Sequence, residues 1–164
     1  MAVSIKFTPI KKDGTSDSVT ITLTDSLLPT NVESQDNTTS ISYNTVLGDF
    51  VDFPIALKRK VIMTWDILSD TQVDTLYYDG LLARVKTNKR RFFKIDVLPT
   101  TGDTKAIELA KKIQSVSANG IFYLGTPVSF KRIGENGGVT FYSGELHFIQ
   151  VTGYTLNNPT TPNT

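Results

Sequence analysis

The strongest constraint in this chain is a change of hydrophobic period at Ser69. In KRKVIMTWD, residues 58–66, Val61, Met63 and Trp65 occupy alternate positions, with Lys60, Ile62 and Thr64 between them. A period of two puts one face of an extended strand against a core. Downstream, Val73, Leu76, Tyr77 and Leu81 follow a period near 3.6 and share one face of a helix. The switch carries its own signals. Ser69 stands as N-cap with Gln72 three positions later, a capping box, and Leu68 is placed to staple against Val73. Asp70 adds a carboxylate in the first turn, where the helix dipole favours it. Gly80 reads as the helix end, a position that accepts positive φ. A strand over 60–66 feeding a helix of roughly three turns therefore commits the chain to a sheet with a helix packed on it.

The other segments supply more of the sheet. Val3, Ile5 and Phe7 alternate with polar residues, as do Val19, Ile21 and Leu23, and Asp13-Gly14 between them is a favoured turn pair. RRFFKIDVL predicts a strand with Phe93, Ile95 and Val97 on one side and Phe92, Lys94 and Asp96 on the other. A second helix is predicted over 104–117, with Ala106, Leu109, Ala110 and Ile113 inward and Asn119-Gly120 ending it. IFYLGTPVSFKRI is a strand interrupted at 125–127, where a proline implies an edge or a bulge. GENGG then closes a hairpin into VTFYSGELHFIQV, and Gly144 inside that strand implies a bulge or a close approach. The expected class is α+β and mostly antiparallel: a β-sandwich or partial barrel with one or two flanking helices.

One β-rich domain is expected over 1–154. It includes a polar arm or loop at about 25–56, where alternation dissolves and Ser, Thr, Asn and Asp dominate. Tyr43, Val46, Leu47, Phe50, Val51 and Phe53 form a patchy apolar set in its second half. It packs over its own core or orders against a neighbouring subunit. The tail 155–164 is expected to be disordered or partner-bound.

Composition narrows the class. There is no cysteine, which excludes disulfides and thiolate zinc sites. No apolar run approaches the ~20 residues a spanning helix needs, and the first residues lack a secretory pattern. Net charge is +1 but uneven. Residues 1–56 carry three lysines against seven carboxylates, whereas residues 57–94 carry nine Lys or Arg against four Asp. Opposite-sign thirds can meet within one subunit or between copies. Overall neutrality argues against a dedicated nucleic-acid binder, whose domain pI typically exceeds ~9.

No catalytic, cofactor-binding or metal-ligating constellation stands out. His147, the only histidine, lies in an alternating strand and is expected to be tucked among structural contacts. Gly134–Gly138 lacks the Lys-Ser/Thr ending of a phosphate loop and fits a hairpin turn. Asp66 and Asp70 are explained by the helix start. Lys86, Lys89, Arg90, Arg91 and Lys94, interleaved with Phe92 and Phe93, have the residue types of a single-strand binder. The favoured account is a basic loop entering a strand whose alternate residues are solvated, and a patch meeting the acidic third of another copy is a third. Tyr77, Tyr78 and Tyr142 could serve as carbohydrate or receptor platforms.

KRKVIMTWDILSDTQVDTL together with LGTPVSFKRIGENGGVTFYSGELHFIQV resembles small structural proteins of long-tailed bacteriophages, of the tail-tube, distal-tail and baseplate type. The resemblance covers residues 57–151 in pattern. It implies a β-sandwich with a flanking helix, copies assembled into a ring with other tail or baseplate proteins, no enzymatic activity, no cofactor, and a virion made in a host cytoplasm. On that reading the subunit-contact candidates are Lys58, Arg59, Lys60, Arg90 and Arg91 on the basic side. Asp49 and Asp52 form the acidic side, with Tyr43 and Phe50 as apolar contacts.

Overall fold

The computed structural model describes residues 3–98, 103–113, 121–150, 154–155 and 158–162. Among the described residues ten strands form one antiparallel sheet. They are β1 (Ser4–Pro9), β2 (Ile21–Thr24), β3 (Asn31–Asn44), β4 (Phe50–Ser69), β5 (Phe92–Leu98), β6 (Ile121–Leu124), β7 (Ser129–Asn136), β8 (Val139–Gln150), β9 (Tyr154–Thr155) and β10 (Asn158–Pro162). The order across the sheet is β10-β9-β4-β8-β6-β5-β1-β2, with β3 on the far side of β4. The expected α+β, mostly antiparallel class is what the chain forms. The sheet is open and does not close into a barrel.

The periods read from the sequence set the inner face. Ile5 and Phe7 of β1, Leu23 of β2, Val61, Met63 and Trp65 of β4, and Phe93, Ile95 and Val97 of β5 are all buried. Phe122 and Leu124 of β6 and Leu146 and Phe148 of β8 complete the layer. The registers keep like with like: Val61 faces Phe148 and Met63 faces Leu146 across one ladder, while Ile5 faces Leu23 and Val97 across two others. Trp65 satisfies its indole by donating Nε1–H to the carbonyl of Leu27 at 2.7 Å, as a buried tryptophan needs.

The capping box forms as predicted. Ser69 Oγ accepts the Gln72 backbone N–H at 3.2 Å, and Gln72 Oε1 accepts the Ser69 N–H at 2.9 Å. The helix that follows is longer than expected. It starts as α1 (Asp70–Val73), widens to π geometry over Asp74–Leu81, and returns to α2 (Leu82–Asn88). Gly80 therefore does not end it; Lys89, in the left-handed region at φ 57°, does. Gly80 is buried within the π turn, where a β-carbon would stand 2.5 Å from the carbonyl oxygen of Thr75. Glycine is required there for close approach, not for capping. Among the described residues the second helix is α3 (Thr104–Ile113), with Ala106 and Ile113 buried; 114–120 lie outside them.

Three features depart from simple alternation. The arm at about 25–56 is largely a β-hairpin: β3 pairs with β4 from Asn31↔Thr64 out to Asn44↔Phe50, around a turn at 45–49. A β-bulge there leaves Ile55 unmatched beside Pro54, a residue that cannot donate to a ladder. A second bulge interrupts β4 between Trp65 and Leu68 opposite β8, so the strand continues to Ser69 instead of stopping at Asp66. A third interrupts β7 between Arg132 and Gly134. Gly137 and Gly138, at φ 61° and 80°, make the tight β7–β8 turn, as a two-residue hairpin loop demands. Gly144 is a close approach: the Phe130 ring lies where its β-carbon would be.

Candidate interaction surface

Because one face of the sheet is filled by the core, the alternate residues stand on the other. Five strands align a row across that outer face: Phe92 opposite Tyr123, Tyr123 opposite Ile149, Ile149 opposite Lys60, and Lys60 opposite Gln35. At about 4.8 Å between strands, Phe92 and Lys60 are roughly 14 Å apart. The Phe92 and Tyr123 rings meet edge-on at 6.1 Å. The Arg90 guanidinium lies 5.0 Å above the Phe92 ring, a cation–π contact, and donates to the Lys11 carbonyl at 3.3 Å. The row is thus an apolar strip with a cation at each end.

The next positions along β8 carry His147 and Glu145, beside Ile62 and Thr64 of β4. His147 is not tucked into the structure as expected. The phase that buries Leu146 and Phe148 turns His147 outward, half-exposed, where Nε2 is hydrogen-bonded to Glu145 Oε1. A shallow depression of about 210 Å³ lies here, lined by Lys60, Gly125, Thr126, Pro127, His147 and Ile149. It offers an ammonium group and an imidazole, the latter bonded to the Glu145 carboxylate beside it, which suits recognition of polar groups. Among the described residues no three His, Asp or Glu side chains gather as metal ligands do.

Of the subunit-contact candidates, Lys60 and Arg90 are brought together, thirty residues apart in sequence, by the β4–β8–β6–β5 ladders. Arg59 and Arg91 instead make internal bonds. Arg59 Nη1 donates to the Lys111 carbonyl at 2.8 Å in the last turn of α3, where the helix dipole favours a cation. Arg91 Nε donates to the Leu124 carbonyl at 2.8 Å and ties β5 to β6. Asp49 is exposed at the hairpin turn. The side chains of Tyr43, Phe50, Asp52 and Lys58 lie outside the described set.

The basic run 86–94 is dispersed by the fold. Lys86 sits in the last turn of α2, Lys89 is its left-handed cap, and Lys94 lies on the sheet between Thr8 and Ile121. The three tyrosines do not form a common exposed platform. Tyr77 is 8% exposed in the core, 5.5 Å from the Phe130 ring, whereas Tyr78 is exposed and Tyr142 half-buried.

Two exposed apolar groups stand out: one belongs to the apolar set expected in the arm, and the other carries no local signal. Val46 and Leu47 at the hairpin turn are 105% and 89% exposed; their clustering within a polar stretch was the available signal. Ile67 and Ile133 are 63% and 49% exposed, and nothing in the local sequence marks them, because bulges set their direction. No protein-family model matches the chain, and no curated protein matches it in sequence.

Proposed function

We propose that this chain is a non-enzymatic structural subunit of a phage tail or tail tip, assembling with copies of itself into a ring. The observation that carries the reading is the β3–β4 hairpin. From Asn37↔Lys58 to Asn44↔Phe50 its two strands pair with each other, and among the described residues the one further ladder pairing in that span is the Ala56↔Thr155 bridge. A compact chain of this length has a radius of gyration of about 15 Å, hence a diameter near 40 Å. Strand β4, with 20 residues, reaches up to about 60 Å at 3.3 Å per residue. The hairpin therefore projects beyond its own globule, and a projecting β-ribbon finds its stabilising contacts on another molecule.

Edge geometry supports the same reading. Among the described residues β2, β3 and the outer side of β7 have no strand on their free edge. Unpaired edge N–H and C=O groups are templates for intermolecular pairing. The apolar strip between Lys60 and Arg90 adds a surface whose charged ends can meet the acidic first third of a neighbouring copy. Heterologous contacts of this kind close into a ring when their rotation divides a full turn.

Solution mass by sedimentation velocity at micromolar concentration, with electron microscopy of any large species, tests the reading. Rings that weaken on Lys60→Glu with Arg90→Glu are expected. A strict monomer at every concentration and salt, with and without the other proteins of the virion, would overturn it.

A further inference from the structure

The two isoleucines exposed by bulges face one depression. Opposite β8, strand β4 advances three residues, Trp65 to Leu68, while β8 advances two, Gly144 to Tyr142. The extra residue breaks the alternation: Leu68 turns into the core, and Ile67, which an unbroken strand would bury, turns out. On the other side of β8, Arg132 faces Tyr142 and Gly134 faces Phe141, so Ile133 is the residue left over. Bulges re-aim side chains, and both of these aim at the same place. Ile67, Ile133 and Phe141, with Gly134, Glu135 and Asn136, line an open depression of about 330 Å³ with mainly apolar walls.

An apolar protrusion stands beyond the far end of the same strand. Val46 and Leu47 protrude from the β3–β4 turn, four and three residues before β4 begins. From position 50 to position 67 of β4, at about 3.3 Å per residue, the separation is roughly 50 Å. The tip and the depression thus occupy opposite ends of the molecule's longest strand, and the tip cannot fill the depression of its own chain. Charge agrees with shape. Asp49 is exposed beside the tip, and Lys131 is exposed two positions before Ile133. Glu135, the one carboxylate in the lining, is held by Arg132 at 3.0 Å.

We propose that copies of this chain dock head to tail, with the Val46–Leu47 tip of one seated in the Ile67–Ile133–Phe141 depression of the next. The inference deepens the self-assembly reading above by adding an axial contact to the lateral one. Such a contact is heterologous, so it propagates along an axis and leaves one free tip and one free depression per stack.

The absence of native cysteine makes the test clean. Leu47→Cys and Ile133→Cys variants each carry a single thiol, and a disulfide needs α-carbons within about 7 Å. Mixed in equal amounts under mild oxidation, they are expected to give the 47–133 cross-linked dimer well above either homodimer. A chain bearing both substitutions gives a covalent ladder. Coupling no faster than that of an exposed control, Val19→Cys, or coupling dominated by 47–47 or 133–133 pairs, would overturn the inference. Leu47→Asp and Ile133→Asp supply a second arm: each abolishes stacking alone, and their mixture yields dimers and nothing longer. Both sites are exposed, so circular dichroism should show unchanged folding. Rings without 47–133 coupling would sink the docking while leaving the ring reading intact. Coupled stacks without rings would do the reverse.

Discussion

Asp17 ties the loop between β1 and β2 to α2 through one carboxylate. Its Oδ2 accepts from Asn88 Nδ2 at 2.9 Å and from Arg84 Nη1 at 3.0 Å, and its Oδ1 accepts from the Val19 N–H at 3.0 Å. The bonds from Asn88, from the Val19 amide and from Arg84 hold its carboxyl down at about 2. A carboxylate with a lowered folded-state pKa contributes stability that is present above its unfolded value, near 3.9, and is lost as pH falls through the folded value. Asp17→Asn should therefore lower the unfolding free energy at pH 7, measured in urea, by about 1–3 kcal/mol. The gap to the unsubstituted chain should narrow between pH 4 and pH 2. A gap independent of pH would show that the charge is not what matters. Gly80 gives a prediction of opposite sign to the usual rule. Glycine to alanine inside a helix ordinarily stabilises by up to about 1 kcal/mol. Here the new β-carbon meets the Thr75 backbone oxygen, and Gly80→Ala should cost about 1–3 kcal/mol. A raised melting temperature would refute the close approach.

At the scale of elements, the strand-to-helix junction at Ser69 rests on local chemistry, and this is why it was legible. The cap, the Gln72 return bond and Asp70 lie within four residues, so no distant contact is needed to specify them. Ser69→Ala should cost about 1 kcal/mol in thermal or urea unfolding; an unchanged midpoint would mean that the surrounding packing alone sets the junction. The helix end was misread because glycine has two uses, positive φ and the absence of a β-carbon, and local sequence does not say which one operates. The hairpin was missed for a related reason. Apolar alternation reports a buried face, not a strand. A ribbon that leaves its own sheet has little core beneath it, and NTTSISYN shows no sustained apolar face.

At the scale of the molecule, the hairpin should be separable from the fold. The core lies under the inner face of β1, β2, β5, β6, β8 and the inner half of β4. Replacing residues 40–55 by Asn-Gly, so that the strands close at the Thr39↔Ala56 pair, should keep the far-ultraviolet spectrum of a sheet protein and a cooperative melt. It should also remove self-association measured by sedimentation. A variant that fails to fold would show that the ribbon belongs to the core; one that still assembles would move the contacts elsewhere. The candidate surface is a property of this scale too. Lys60 and Arg90 flank one strip only because β8 and β6 lie between β4 and β5.

By itself, the sequence determined the class of the fold, the inward residues of its regular strands and the capped helix start. Each of these follows from hydrogen bonds within a few residues or from a period that burial imposes. Tertiary structure alone decided which strands are neighbours, where the helix ends, and which way Ile67, Ile133 and His147 face. A one-residue bulge inverts the phase of everything after it, and pairing across the sheet depends on free energies summed over segments far apart in the chain. Neither quantity is written at any single position.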